Sequence, residues 1–298
     1  MMTDIQSDSV VSKRVPVVIK RPHWGSTLTG AGAIILIALA AVVVGQSQSV
    51  QWGAIPPYMI DPSILSGIVL TLQLTAAAML VGTVLGAVLA AMAVSRNLVL
   101  NGIAAGFVWI FRGVPLIVQI FFWFNIGLFV PNLQFGDVTV SINDIVTPVV
   151  AGLLALGLHE AANMSEVIRS GLLSVDPGQH DASKALGLTR TRALLGIILP
   201  QAIRVIVPPT GNQAIGMLKA SAIVSVIGMQ DLLTQAQHIY ARNFLVIELL
   251  VVASIWYLIL TTIASIGQYY LERYFNRGFA RRATRQTATE GDTSDEQS

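Results

Sequence analysis

Long apolar blocks alternate along this chain with short segments that hold nearly all of its charge. Residues 27–46 and 62–95 contain no Asp, Glu, Lys or Arg, and residues 101–129 contain only Arg112. Residues 145–173 carry Glu160, Glu166 and Arg169, while 206–228 carry only Lys219 and 244–270 only Glu248. A bilayer-crossing helix needs about 20 mostly apolar residues, so the pattern predicts six transmembrane helices over these six ranges. The first block is longer than the ~7–15 residues of a secretory signal core and follows a polar stretch, so a retained helix is expected rather than a cleaved leader. The fold class predicted is an all-α integral membrane protein.

Composition supports that reading: 11% of residues are charged and the mean hydropathy is +0.69. There is no cysteine, which excludes disulfides, thiolate metal sites and Cys nucleophiles. The placement of charge adds topology. Of the 18 Lys and Arg residues, Arg112 and Lys219 lie well inside spans, Arg169 lies near the end of one on the side of the N-terminus, and Arg242 alone falls on the opposite side. The positive-inside rule therefore puts both termini in the cytoplasm. Residues 1–26 are expected to form a cytoplasmic tail, 27–46 an extra first helix, and 283–298 a disordered polar tail.

The segment HDASKALGLTRTRALLGIILP, residues 180–200, is cationic and broken by a glycine. Asp176 before Pro177 is a good helix start, with a side-chain acceptor at the N-cap and proline in the first turn. Gly187 suits a left-handed C-terminal cap. Thr189 is placed to cap a second short helix through Leu199, which Pro200 is expected to end. An ordinary topological loop would also carry arginines, but Ala182, Leu186, Leu188, Leu194 and Leu195 add apolar contact surface, which favours docking of a partner.

Those residues resemble the EAA loop of permease subunits of ABC importers. The family pattern is E-A-A, three residues, G, nine residues, then I-x-L-P. Asp181, Ala182 and Ser183 stand in the first three places, and Gly187, Ile197, Leu199 and Pro200 at the later offsets. Three further stretches are similar to permeases for polar amino acids of the histidine, glutamine, arginine and glutamate type: FRGVPLIVQ (111–119), LPQAIRVIVPPTGNQ (199–213) and LKASAIVSVIG (218–228). Ala220 and Ala222 replace residues that are usually polar there, and His159 and Asn163 replace an Asn and an aromatic.

The resemblance implies a type-1 ABC importer permease core over residues 65–275, with the helix at 27–46 outside it. It implies a bacterial inner-membrane, multi-pass location and a second permease copy or paralogue. It further implies an extracytoplasmic solute-binding protein that delivers substrate, membrane lipid around the chain, and cytoplasmic ATPase subunits docked on 181–200. No nucleic acid is implied. A P-loop needs G-x-x-x-x-G-K-[ST], yet the four lysines follow Ser12, Ile19, Ser183 and Leu218. ATP and Mg are thus expected on the partner ATPase, with no cofactor and no catalytic residue in this chain.

Polar residues inside spans face protein or a water-filled path, because lipid cannot satisfy them. His159, Asn163, Glu166 and Ser170 share one helical stripe, and Glu160 lies beside it. Pro208, Pro209 and Gly211 are expected to break their helix and expose backbone, with Asn212, Gln213, Lys219 and Ser221 following. Glu160, Asn163, Asn212, Gln213, Lys219 and Ser221 are the candidate substrate path, against plain structural roles for the same residues. Arg112, Glu166 and Arg169 are expected to be structural, the last two as an i,i+3 ion pair. Gly82 and Gly86 have the spacing of small-residue helix packing. Two other classes fit the residues less well. His159-Glu160-Ala161-Ala162 begins like a zinc hydrolase motif, but Asn163 stands where the second histidine belongs, so no metal site is expected. A self-sufficient secondary transporter usually shows internal repeats, and none is evident.

Overall fold

A computed structural model describes residues 24–135 and 138–276. The expected C-terminal tail, and the N-terminal one up to residue 23, lie outside the described residues. The chain divides into two units, residues 1–50 and 51–298. The first contains helix α1, Trp24–Gly45, the predicted extra helix.

In the second unit α2 (Ile55–Met59) leads into α3 (Pro62–Ala93). The next helices are α4 (Leu98–Gly113) and α5 (Leu116–Phe124). A short hairpin follows, β1 (Asn132–Phe135) antiparallel to β2 (Val138–Ser141), pairing Leu133 with Val140. Then come α6 (Ile142–Ile145), α7 (Pro148–Leu173), α8 (Pro177–Ala185) and α9 (Arg190–Ala193). A π turn over Leu194–Ile198 runs into α10 (Leu199–Ala220), a 3-10 stretch over Ser221–Ile227, α11 (Leu232–Asn243) and α12 (Val246–Asn276).

Three helices start in the same way. Asp61, Thr147 and Asp176 cap the first turns of α3, α7 and α8 with side-chain oxygens, and a proline follows each. The proline lacks an N–H that would go unpaired at a first turn anyway.

Pro62–Ala93, Arg190–Ile227 and Val246–Phe275 are each long and apolar enough to cross a membrane, and α4 with α5 makes a fourth as a bent pair. Helix α7, with 26 residues, has the length to cross at a rise of about 1.5 Å per residue but holds more polar groups. Only 28% of the most apolar part of α3, and 17% of that of α12, is buried within the protomer. Leu80, Leu258 and Ile263 are among the exposed apolar side chains, a surface suited to lipid or to another membrane chain.

The core is the contact of α3 with α7. A Cβ on Gly82 would lie 2.6 Å from Glu160 Cγ, and one on Gly86 2.7 Å from Met164 Cβ. Backbones approach this closely only where side chains are absent, and dispersion then holds the helices together where no hydrophobic effect operates. Around the contact pack Leu74, Ala78, Ala155 and Leu156, with Met217 and Val224 from the later helices. A second cluster joins α3, α11 and α12 through Ile64, Ile68, Leu232, Leu249 and Val252. There the buried Asp231 caps α11 by accepting from Thr234 N at 3.1 Å, while Thr71 Oγ1 accepts from Leu232 N.

The structure corrects three expectations. The span predicted over 101–129 is two helices bent by 101°. Val114 is extended, at φ −91° and ψ 131°, because a residue before proline is pushed out of the helical region. The short helix expected to end at Pro200 does not end. The π turn carries it past the proline into one 38-residue helical run, and Pro200 sits in the first turn of α10, where its missing N–H is tolerated. Nor do Pro208 and Pro209 break α10, which continues through both. Gly211 leaves room for the Gln268 side chain of α12, and Gln268 Nε2 donates to Pro208 O at 2.7 Å.

Candidate functional site

Two places concentrate the residues singled out from the sequence. The first is the loop between α7 and α10. Asp176 Oδ1 accepts from Gly178 N at 2.7 Å, starting α8. The helix closes on Gly187, whose φ is +67°. Gly187 N donates to Lys184 O, and Leu188 N donates to Ser183 O at 3.1 Å. This pair of bonds, with a left-handed glycine between, uses up the last carbonyls of α8. Thr189 Oγ1 then accepts from Arg192 N.

Asp181, Ala182, Gly187 and Pro200 are exposed, Ile197 and Leu199 are half-buried, and Ser183 is buried. Ser183 Oγ donates to Gln179 O. Lys184 pairs with Asp181 at 2.9 Å; that hydrogen bond, with the ammonium charge, holds the Asp181 carboxyl below its ordinary range. The loop is fixed to the bundle by Val175, Ile198 and Ala202, packed with Leu172 and Ile206. Ile198 was not singled out from the sequence. The motif spacing marks its neighbours, but the inward-facing residue of the π turn is decided only by the fold.

The second place is the break between α4 and α5. In an uninterrupted helix Phe111 O would accept from the N–H of residue 115, which is Pro115. Instead Gln119 Nε2 donates to Phe111 O at 2.9 Å and to Val114 O at 2.8 Å. From α7, His159 Nδ1 lies 2.9 Å from Phe111 O, so the proton sits on that nitrogen and is donated. Within a membrane a freed carbonyl must be satisfied by protein. This gives FRGVPLIVQ a physical reading: Pro115 makes the bend and Gln119 repairs it. Gln119 is the functional-type residue that reading by residue class missed, and the signal was its position four residues after the proline.

Next to His159, Glu160 is 3% exposed and packed on Gly82. Among the described residues, three buried side-chain atoms have no hydrogen-bond partner: Gln119 Oε1, Glu160 Oε1 and Ser165 Oγ. All three belong to α5 and α7. Asn163 is half-buried on α7. Glu166 and Arg169 form a close pair, Nη2 to Oε2 2.7 Å, about one third exposed, beside a cavity of about 200 Å³. Arg112 is exposed and acts electrostatically on both His159 and Glu166.

The α10 candidates stand apart from this group. Asn212 and Lys219 are exposed, Gln213 is half-buried, and Ser221 is buried with Oγ donating to Leu218 O. Among the described residues, none of their side chains hydrogen-bonds to Glu160 or Asn163. No three His, Asp or Glu side chains come together among the described residues in a way that would hold a metal ion.

Comparison with known proteins defines the class. Residues 82–277 match the family described as binding-protein-dependent transport system inner membrane component, and the chain belongs to that family: it is a membrane-embedded ABC transporter permease. Among curated relatives it is 38% identical to the arginine transport system permease protein ArgU of Corynebacterium glutamicum, over 95% of this chain and 91% of that one. It is 34% identical to the glutamate/aspartate import permease protein GltK of Escherichia coli, over 75% of this chain and 97% of the relative. Among solved structures, one described as an amino acid ABC transporter with histidines is 33% identical, with a TM-score of 0.66 over 76% of this chain and 99% of that chain. The MetNI methionine ABC transporter, at 19% identity and a TM-score of 0.60, shares the fold.

Proposed function

We propose that this chain is the permease subunit of an importer that carries a polar amino acid, arginine or a basic amino acid like it, across the bacterial cytoplasmic membrane. Both termini and the loop at 176–200 face the cytoplasm in this reading. A separate ATPase, holding ATP and Mg, docks on Asp181, Ala182, Ser183, Gly187, Ile197, Leu199 and Pro200. A second permease copy or paralogue completes the pathway, and an extracytoplasmic binding protein loads it.

The observation that carries the docking role is the construction of the loop. Its helix ends are satisfied within the loop, by the Asp176 and Thr189 side chains and by backbone at Gly187, its base is packed into the bundle, and its outer face is left free. Such a segment transmits force without first having to order, so docking costs little conformational entropy. The preference for a basic substrate rests on the arginine permease relative, which matches across the extra N-terminal segment as well. Glu160 supports it, as a buried carboxyl with one oxygen unpartnered. Glu160, Asn163, Asn212, Gln213, Lys219 and Ser221 are assigned to the path, and Arg112, Glu166 and Arg169 to holding the helices.

The test separates backbone shape from the dock. No atom lies within 4 Å of a Cβ placed on Gly187, yet its φ is left-handed. Gly187→Asn, which tolerates that conformation, is expected to keep most uptake of labelled arginine by cells. Gly187→Asp, adding a charge to the exposed face, is expected to abolish uptake at unchanged membrane content and helicity. Normal uptake by Gly187→Asp overturns the docking role, and uptake of glutamate in preference to arginine overturns the substrate class.

A further inference from the structure

A cavity of about 420 Å³ lies beside α8, lined by Arg96, Lys184 and Arg190 and floored by Leu188, Leu194 and Ile198. No carboxylate is among its lining residues. Lys184 shares its charge with Asp181, whereas Arg96 and Arg190 enter no ion pair among the described residues. Its position is informative. Arg96 lies three residues past the end of the apolar run Pro62–Ala93, and Arg190 opens the run Arg190–Ile227. The cavity therefore lies at neighbouring ends of two helical runs that are long and apolar enough to cross a membrane. Leu194, 41% exposed, lines the cavity, and Leu98, 88% exposed, follows two residues after Arg96, so apolar surface accompanies both arginines.

We propose that this cavity seats the phosphodiester head group of an acidic phospholipid, bridging Arg96 and Arg190, with an acyl chain lying over the exposed leucines. Basic pockets at the membrane edge between helices have the chemistry to hold such heads, and the volume falls within the range of small-ligand sites, about 300–1,000 Å³. A free phosphate would pair with the arginines but leave the apolar floor uncovered, and so fits less well. The consequence for transport rests on the docking role proposed above. One wall is α8 itself, so a bound lipid ties the docking loop to the connection between α3 and α4 and makes coupling sensitive to acidic lipid.

The experiment reads lipid on the full-length permease without any ATPase, so its failure and that of the docking role are distinguishable. The protein is exchanged into phosphatidylcholine nanodiscs containing a minor fraction of phosphatidylglycerol. Lipids retained on re-extraction are then counted by native mass spectrometry. Wild type is expected to retain phosphatidylglycerol over phosphatidylcholine. Arg96→Gln or Arg190→Gln alone should lose about 5-fold, and the double variant roughly 30-fold. Arg204→Gln, a cation of the same helical run outside the cavity, should lose nothing. Undiminished retention in the double variant overturns the site. An equal loss in Arg204→Gln reveals diffuse charge and overturns it too, and displacement by inorganic phosphate at millimolar concentration shows a free-anion site instead of a lipid seat.

Discussion

The loop at Gly187 and the bend at Pro115 pose the same physical problem and solve it in opposite ways. At both, a helix stops and leaves carbonyls without donors. The exposed loop satisfies them locally, with Gly187 N and Leu188 N reaching back to Lys184 O and Ser183 O. The bend satisfies them with side chains, Gln119 from the next helix and His159 from forty-eight residues on. Water stands in for any bond the loop loses, but nothing does so at the bend. The difference separates an exposed segment, to which we assign docking, from a buried one that holds the bundle together, and substitutions should divide along the same line.

Gln119→Leu should have the largest effect. It leaves Val114 O unpaired and Phe111 O with His159 alone, at about 1–3 kcal/mol for each buried polar group that loses its partner. A melting temperature in detergent lowered well below wild type is expected, with a further, more than additive drop when His159→Ala is combined. If Gln119→Leu melts as wild type does, the bend is not held by this side chain and the contrast with the loop collapses.

Gly86→Leu comes next. The added side chain meets Met164 Cβ and the α7 backbone, and overpacking of this kind costs about 1–3 kcal/mol. Stability should fall and cysteine pairs engineered across α3 and α7 should cross-link less. Gly102, where nothing lies within 4 Å, serves as the control, since Gly102→Ala should leave both readouts unchanged.

Asp231 sharpens the comparison at a third helix end, outside the spans, where a cap is both local and buried. Asp231→Ala should cost about 1 kcal/mol through loss of the α11 cap. Burial raises its carboxyl above the ordinary value of 3.8, against hydrogen bonds from Thr234 and Leu233 that lower it. The folded state therefore binds the proton more tightly than the unfolded chain, and stability falls as pH rises from 3.8 through the raised folded value. Asp231→Asn should keep the cap and flatten that part of the pH profile of unfolding. A profile identical to wild type would remove Asp231 as its source.

Arg169→Gln should be the mildest. Its partner Glu166 is about one third exposed, and solvent-screened pairs contribute about 0–1 kcal/mol. A loss of uptake without loss of stability would move Arg169 from the structural group to the path.

Much of this was legible in the residues themselves. Apolar block length marked the helices of 62–93 and 246–275, since a bilayer sets that length directly. Asp176-Pro177, Gly187 and Thr189 marked their caps, because a cap depends on side-chain type within three or four positions. Proline misled twice. Pro200 and Pro208-Pro209 looked like breaks, yet a π turn and the Gln268 side chain accommodate them, whereas Pro115 did break its span. Which outcome follows depends on donors supplied by distant segments, and those are invisible in a local reading.

The sequence by itself determined the membrane class, through the length and composition of its apolar blocks, and carried the motif resemblance that the family match bears out. Only the tertiary structure decided that Gln119 and His159 meet at one carbonyl, that Glu160 lies against Gly82, and that Arg96 and Arg190 face one cavity. Each of those pairings joins segments far apart in the chain, brought together by close packing of helix backbones and, at Phe111 O, by the need to satisfy a carbonyl that Pro115 leaves without its helical donor.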